Sequence, residues 1–388
     1  MNQKNPNTEP TLTLYERTLL DNHVSYTTPR MMPVGEQGLL RYLERLEAAQ
    51  QPMDLTLFVK HATVKFANKR MWVTFDGVPG FAGMLVTNTG SHHMAREVLP
   101  SRFFSGLKKL VKLDEDLATQ VWDRFSRTRR KERMFRTVRT KLPNGKVYRA
   151  VRSVHSDKYA PFSNKDFIAQ LAGAPEYAEL PLLHVTITDN HFRTRFAALD
   201  APTSALRAWD ASGLGSEPVP MVEAWNSETG SRAVGLKAGA WWLDESRGLP
   251  HWSARNEFRW IHRGDPNRIR GGAAAAYETL LTASAEVVEA WQEAQDVPVE
   301  DIALWTKQQL QKRGHSQETQ SSVAKLLETD RVSEGETLAS AVDAMTLHAA
   351  KNSLAASEEL SQSASFILRD GLNTHRKGGN LEPDEEEA

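Results

Sequence analysis

The stretch RFSRTRRKERMFRTVRTKLPNGKVYRAVR, residues 124–152, holds the pattern that decides the fold. It carries twelve Lys or Arg and one acidic residue, Glu132, in a chain whose formal net charge is −1. Asn144-Gly145 is the strongest short-range signal for a two-residue hairpin turn, because both central residues of such a turn need positive φ. The stretch therefore predicts a basic helix end followed by a β-hairpin. Its concentrated charge is typical of surfaces that bind polyanions.

A two-residue turn fixes which residues of this hairpin share a face. Leu142 pairs with Val147 and Val138 with Val151, so these apolar residues face a core, with Arg149 near the end of that face. The opposite face presents cations around one aromatic ring: Thr137, Arg139, Lys141, Tyr148, Ala150 and Arg152. A nucleobase can stack on such a ring while the cations follow a phosphate backbone. An ordinary solvated sheet face gives the same pattern, and a one-residue slip in register would exchange the two faces.

Residues 182–197 predict a second hairpin of the same design, with its turn at Asp189-Asn190. Pairing Thr188 with His191 places Ile187 and Phe192 on an apolar face. The opposite face has a cationic and polar character: His184, Thr186, Thr188, His191, Arg193 and Arg195. We expect both hairpins to present their arginines outward from one side of a sheet. Antiparallel sheets usually have one polar face, so the pattern alone does not specify a ligand.

Composition limits the class of protein. The chain has 388 residues with 40% hydrophobic and 25% charged residues, which is ordinary for a globular protein. It contains no Cys, which excludes a disulfide framework, a thiolate metal site and a catalytic thiol. The N-terminus lacks an apolar signal core, and no run approaches the length of a membrane helix. We expect a soluble cytoplasmic protein that does not contact membranes.

Hydrophobic periodicity predicts an α+β fold: an antiparallel sheet built from hairpins with flanking helices, followed by a helical C-terminal region. We divide the chain into a flexible N-terminal segment (1–33), a basic-faced α+β core domain (34–270), a helical region (271–370) and a disordered acidic tail (371–388). Ala, Leu and Ser dominate the last long helix, which is typical of helix packing or of self-association.

Three local patterns resemble a phage and plasmid protein family defined by a domain of unknown function. They are VYRAVRSVHSDKYAPFSNKDFI (147–168), NSETGSRAVGLKAGAWWL (226–243) and AMTLHAA (344–350). The resemblance covers roughly residues 100–355 and is moderately specific, because none of the patterns is a catalytic fingerprint. The chain departs from the family where members often have Cys-Thr-Asn-Gly and this sequence has Trp241-Trp242-Leu243-Asp244. The resemblance implies a mobile element and kinship with phage single-strand annealing proteins, and it supplies no established activity.

The sequence shows no catalytic fingerprint. Its twelve His lack metal-ligand spacing on a predicted helix. Nuclease sites need clustered carboxylates, whereas Asp189, Asp200, Asp210, Glu223 and Glu228 are scattered and mostly in predicted turns. We therefore expect no cofactor and no metal, and leave open a catalytic site assembled from distant residues.

The favoured hypothesis is a single-stranded DNA- or RNA-binding protein of a phage or mobile element, with strand annealing in recombination or replication as one form of that role. A homo-oligomer would bind many nucleotides cooperatively. The expected contact residues are Arg127, Arg129, Arg130, Arg133, Arg139, Lys141, Tyr148, Arg149, Arg152, Arg193 and Arg195. Two alternatives stay open: a metal-dependent nucleic-acid enzyme such as a nuclease, and a phage interaction or host-takeover protein that binds an acidic partner.

Overall fold

Two β-sheets and a C-terminal set of helices make up the protein, which confirms the predicted α+β class. The structure is a computed structural model. It describes residues 24–26, 39–100, 103–141, 147–156, 158–178, 180–187, 191–198, 218–242, 247–262, 267–328, 335–352 and 354–384.

The strands and helices of these ranges follow one another along the chain. The strands are β1 (Val24–Tyr26), β2 (Met53–Phe58), β3 (Ala62–Ala67), β4 (Arg70–Phe75), β5 (Met84–Val86), β6 (Glu132–Lys141), β7 (Val147–His155), β8 (Leu182–Ile187), β9 (Phe192–Ala197), β10 (Pro218–Asn226), β11 (Val234–Trp242), β12 (Arg247–Pro250) and β13 (Glu257–Trp260). The helices are α1 (Leu39–Gln50), α2 (Asn88–Val98), α3 (Phe103–Leu113), α4 (Glu115–Ser126), α5 (Asn164–Ala172), α6 (Pro175–Ala178), α7 (Arg268–Ala294), α8 (Ile302–Lys312), α9 (Gln317–Leu326), α10 (Leu338–Ala350) and α11 (Leu354–Arg376).

Sheet I, the more N-terminal of the two, has the strand order β2-β6-β7-β5-β4-β3. Its strands are antiparallel except for the β5–β7 pair. The β3–β4 hairpin turns at Asn68 and Lys69, whose φ values of 54° and 59° are those of a tight hairpin turn. One face of β3 is buried and the other exposed in strict alternation from Ala62 to Phe66, which is the signature of a strand with one packed face.

Helices α2, α3 and α4 cover one face of sheet I. Asp114 caps α4 by accepting a hydrogen bond from the backbone N–H of Leu117, and Glu115 and Asp116 in the first turn complement the helix dipole. Trp122 of α4 is fully buried in this core, together with Phe135 of β6. The basic end of α4 is thereby anchored to β6 through apolar packing.

Sheet II has the strand order β1-β8-β9-β10-β11-β12, with β13 also paired to β11. A second core lies between the two sheets and contains Val138 and Ala150 of sheet I and Phe192 and Leu236 of sheet II. A third core joins β11 and β12 to the C-terminal helices and includes Trp242. Helix α10 is buried along nearly its whole length there, so its apolar composition serves packing within this chain.

The first hairpin forms as predicted, but its register differs by one residue. Lys141 pairs with Val147 and Arg139 with Arg149, whereas a two-residue turn would have paired Lys141 with Tyr148 and Arg139 with Ala150. The connection at 142–146 lies outside the described residues. The prediction that Arg139 and Ala150 share one face of the hairpin is therefore wrong. Ala150 is fully buried in the core between the sheets, while Arg139 is exposed.

A β-bulge breaks this hairpin in the middle. Thr137 pairs with Val151 and Arg136 with Ser153, so Arg152 is the extra residue, and it lies on β7. A bulge bends its strand and redirects the side chain of the extra residue. Arg152 is consequently turned into the protein, where it is 8% exposed, instead of facing outward beside Arg139.

The second hairpin has the predicted register over most of its length, with Ile187 opposite Phe192 and His184 opposite Arg195. The turn residues 188–190 lie outside the described residues. However, β8 and β9 are inner strands of sheet II, whereas β6 and β7 belong to sheet I. The expectation of one sheet that presents both sets of arginines is therefore wrong.

Two helices cross boundaries of the predicted segments. Helix α7 begins at Arg268, packs between the sheets in its first half and joins the C-terminal core in its second half. The predicted disordered tail (371–388) starts inside α11. After the end of that helix, Leu381 forms a β-bridge with Val299 and is buried. Within the predicted flexible segment (1–33), Val24–Tyr26 forms β1 on β8.

Candidate nucleic-acid interface

The buried residue Arg152 binds a carboxylate and does not face solvent. Its Nη1 lies 2.6 Å from Oε2 of Glu228. The other carboxylate oxygen of Glu228 accepts the backbone N–H of Asn164 at 2.7 Å, and Arg136 donates to the backbone carbonyl of Glu228 at 2.7 Å. Burial raises the pKa of Glu228, but Arg152 and Arg136 outweigh that effect and the pKa is lowered. Arg152 is thus a partner in a buried ion pair.

Two of the patterns that carry the family resemblance meet at this ion pair. Arg152 and Asn164 belong to the first pattern (147–168), and Glu228 belongs to the second (226–243). Asn226 of the second pattern also donates its side-chain amide to the carbonyl of Phe162 and to Oδ1 of Asn164. The two patterns therefore form one hydrogen-bonded unit that joins sheet I to sheet II.

A stack of rings lies beside this unit. The rings of His155 and Tyr159 are parallel with centroids 3.7 Å apart, and His262 stacks on the other side of Tyr159 at 5.3 Å. Burial lowers the pKa of His155 to about 3, aided by His93 and Arg136, and lowers that of His262 to about 4. Burial also raises the pKa of Tyr159 to about 12. These rings are neutral near pH 7.

Arg193 and Arg195 are held inside sheet II by a second carboxylate. Five directly opposed residues form a row across five strands of sheet II. In order, they are His184, Arg195, Glu223, Lys237 and Glu257. Arg195 Nε is 2.8 Å from Glu223 Oε2, and Arg193 Nε is 3.3 Å from Oε1. The expectation that these arginines face solvent is wrong, because neighbouring strands and α11 cover them.

The charges of this row stabilise one another. Burial raises the pKa of Glu223, but Arg193, Lys237 and Arg195 overcome that effect, so its pKa is lowered. Burial lowers the pKa of Arg195 to about 10, and that of Lys237 is also lowered. Because Glu223 is 3% exposed, its carboxylate depends on these cations rather than on water.

Three further predicted contact residues have partners within the chain. Arg129 donates two hydrogen bonds to the carbonyl of Val98, and Arg133 binds Glu97 at 2.7 Å. Arg149 donates to the carbonyl of Gln51 and to Thr137, and its guanidinium lies 5.3 Å from the ring centroid of Phe81. These contacts tie β6 and β7 to neighbouring elements. The side chains of Lys141 and Tyr148 lie outside the described residues.

A run of exposed cations extends from the last turn of α4 to the residue before β6. Arg124, Arg127, Arg130 and Lys131, here called the basic edge, are all exposed. None of the four forms an ion pair with any residue that the structure describes. Arg139 is also exposed, farther along β6. Of the predicted contact residues, the structure thus leaves Arg127, Arg130 and Arg139 available to a polyanion.

Exposed aromatic rings flank the basic edge. Phe58 is 37% exposed and sits opposite Glu132 at the end of β2, and Val59 beside it donates its N–H to the carbonyl of Lys131. Phe103 is 40% exposed and contacts the ring of Phe125 at 5.4 Å, next to Arg124 in α4. Two partly exposed phenylalanines therefore contact the elements that carry the basic edge.

The sequence contained a signal for the buried ion pairs. A single charged residue in the middle of an otherwise apolar strand, such as Glu223 in β10 or Lys237 in β11, needs an opposed partner on the neighbouring strand. Arg193 and Arg195 supply the complementary charge. No comparable signal marks Phe58 or Phe103, because exposure of a phenylalanine depends on how the helices and sheet pack.

Neither a protein-family model, nor a curated protein, nor a solved structure matches this chain. Among the residues that the structure describes, no helix is both long enough and apolar enough to cross a membrane. Within the same ranges, no group of three or more His, Asp or Glu side chains is placed to hold a metal ion.

Proposed function

We propose that this protein binds single-stranded nucleic acid through the basic edge. One observation supports this most directly: four exposed cations lie within eight consecutive residues, and none forms an ion pair with any described residue. Surface cations are usually interspersed with carboxylates, so an unpaired group is a site for an external polyanion. Phosphates that bind there release condensed counterions, which favours binding at low salt.

The flanking rings favour a single strand over a duplex. Phe58 and Phe103 are the exposed aromatics beside the basic edge, and stacking on such a ring needs a base that is free of its own stack. Lys60, whose Nζ is 5.4 Å from the centroid of Phe58, adds a cation beside that ring. The surface therefore combines backbone contacts with sequence-tolerant stacking, without base-specific readout.

The test is fluorescence anisotropy of a labelled single-stranded oligonucleotide at increasing salt. Four phosphate contacts on a single strand give a slope of log affinity against log salt of about −3. We expect this slope, and weaker binding to a duplex of the same length. No binding at about 50 mM salt, where such contacts are least screened, would reject the proposal.

Strand annealing and self-association extend this proposal. Annealing is one form of the proposed role, suggested by the kinship with single-strand annealing proteins that the resemblance implies. Light scattering with and without an oligonucleotide measures whether binding assembles several copies. A fluorescence-transfer assay with two complementary strands separates annealing from binding alone.

A further inference from the structure

A cavity of about 740 Å³ opens between sheet II and helix α11, away from the basic edge. Its floor is formed by β10, β11 and β13, and α11 and the segment after β12 form its walls. The residues that matter for its chemistry are Trp225, Arg232, Lys237, Trp252, Glu358 and Phe366. This volume lies within the usual range for sites that bind small molecules.

The ion pairs at the cavity leave positive charge in excess. Arg193, Arg195, Arg232 and Lys237 are connected through two carboxylates, those of Glu223 and Glu358. Four cations against two carboxylates leave two positive charges in the network. Of the remaining charged residues that line the cavity, Glu257 and Arg259 pair with each other.

One lining carboxylate reduces this excess. Glu359, on α11, is exposed and forms no ion pair with any residue that the structure describes. Glu286, which binds the cavity-lining His251 at 3.1 Å, is also exposed, and these two glutamates equal the two excess positive charges in number among the described residues. Water screens both exposed carboxylates, whereas the excess cations are buried behind the lining residues. Arg193 is 3% exposed and Arg195 is largely buried, so water screens this charge poorly. The pKa values of Lys237 and Arg232 are both lowered, first by burial, with Arg193 contributing to each. An anion in the cavity would compensate this charge.

Aromatic side chains on the floor and walls of the cavity restrict the shape of the ligand. Trp225 underlies Lys237, whose Nζ is 5.8 Å from its ring centroid. Trp252 is half-buried and stacks on His251 with ring centroids 4.2 Å apart, while its side chain borders the cavity. Phe366 of α11 lines the same space. Flat apolar rings beside excess cations suit a ligand that has a planar ring and a negative group.

We propose that this cavity binds a nucleoside 5′-phosphate, with the phosphate near Arg232 and Lys237 and the base against Trp252. The proposal goes beyond nucleic-acid binding at the basic edge and does not depend on it, because the two sites lie on different sheets and use different residues. The same chemistry could come from a free mononucleotide or from the phosphorylated end of a strand.

Isothermal titration calorimetry of the full chain with adenosine 5′-monophosphate, adenosine and inorganic phosphate tests this proposal. The monophosphate should bind at least about tenfold more tightly than either fragment, because only it satisfies both the cations and the rings. No detectable binding of the monophosphate at about 5 mM, or binding no tighter than that of inorganic phosphate, would overturn the proposal.

Three variants sharpen this test. Arg232→Gln and Trp252→Leu should each weaken binding of the monophosphate about tenfold. Arg376→Gln is the matched control, because it also removes an arginine that binds a glutamate, here Glu293 in the exposed helical region, and should leave binding unchanged. Unchanged affinity in both cavity variants, with melting curves showing that they fold, would contradict the site.

Competition distinguishes the source of the ligand and separates the two sites. Displacement of the monophosphate by a 5′-phosphorylated oligonucleotide, but not by its 5′-hydroxyl form, assigns the cavity to strand ends; displacement by neither assigns it to free nucleotides. Both results support the proposed ligand chemistry.

Replacement of the basic-edge arginines should leave monophosphate binding intact, so that failure of one site does not imply failure of the other.

Discussion

A single buried carboxylate, Glu223, holds together the charged row of sheet II. Its oxygens lie within 3.3 Å of Arg193, Arg195 and Lys237, and it is 3% exposed. Glu223→Gln would leave three cations without their common partner. We expect the free energy of unfolding, measured by urea denaturation, to fall by about 3–5 kcal/mol.

The control for this prediction is Glu289→Gln, which changes the same charge on an exposed residue of α7. It should change the free energy of unfolding by less than about 0.5 kcal/mol. A loss of less than about 1 kcal/mol in Glu223→Gln would show that the buried row contributes little.

The buried histidines make stability depend on pH. The pKa of His155 is lowered from 6.5 to about 3, so the unfolded chain binds a proton that the folded protein does not. Stability is therefore complete above pH 6.5 and declines as the pH falls from 6.5 towards 3, by up to about 1.4 kcal/mol per pH unit for this histidine. Urea denaturation between pH 6.5 and 5 measures this slope.

His155→Gln removes the titrating group and provides the comparison. We expect a shallower dependence of the unfolding free energy on pH, whatever the variant's stability at pH 7. Part of the dependence of stability on pH remains in the variant, because the pKa values of His191 and His262 are also lowered, to about 3 and about 4. An identical slope in the variant would mean that His155 is protonated in the folded protein.

At the level of single elements, the sequence predicts which segments are strands and helices better than how they are paired. Asn144-Gly145 located the first hairpin, yet Arg139 lies opposite Arg149 rather than Ala150. A bulge at Arg152 then redirects its side chain. Alternation of apolar residues does not encode a bulge, because its stabilising partner, Glu228, is 76 residues away.

The register of the second hairpin was predicted correctly next to its turn, whereas that of the first hairpin differs by one residue between the turn and the bulge. Ile187 and Phe192 are opposed as expected, and both lie in the core between the sheets. The surroundings of the strand could not be predicted in the same way. Whether Arg193 faces water depends on β10 and α11, which pack over it from distant parts of the chain.

The turn that carries Glu228 gives a test at this scale. Gly230 has φ of +67°, and a Cβ there would lie 2.8 Å from Tyr159 and 2.9 Å from His155. Gly230→Ala therefore has two costs. The alanine must adopt a left-handed backbone conformation, and its methyl group clashes with the ring stack. We expect a loss of about 2–4 kcal/mol in the free energy of unfolding.

Gly314→Ala separates these two costs. Gly314 has φ of +79°, but a Cβ added there would meet no atom within 4 Å, so only the backbone cost of about 1–2 kcal/mol applies. Thermal or urea denaturation of both variants measures the two losses. Equal losses of unfolding free energy in the two variants would mean that the ring stack moves to accommodate the added methyl group.

For the whole molecule, charge in the sequence divides between two roles. The arginines of the predicted interface include Arg152, Arg193 and Arg195, which hold sheets and helices together, and Arg127 and Arg130, which remain at the surface. Composition cannot separate these roles, because a buried arginine and an exposed one look alike until their carboxylate partners are located. Arg127 and Arg130 of the basic edge, together with Arg139, are the described residues of the predicted interface that are exposed.

The most direct test compares two triple variants in the anisotropy assay with single-stranded DNA. Replacing Arg124, Arg127 and Arg130 by Gln removes most of the basic edge, whereas replacing Lys325, Lys351 and Lys377 by Gln removes the same charge from exposed positions of the helical region. We expect the first variant to weaken binding at least about tenfold and to reduce the salt slope by about 2, and the second to change neither appreciably. Equal effects in the two variants, or none in the first, would contradict binding at the basic edge.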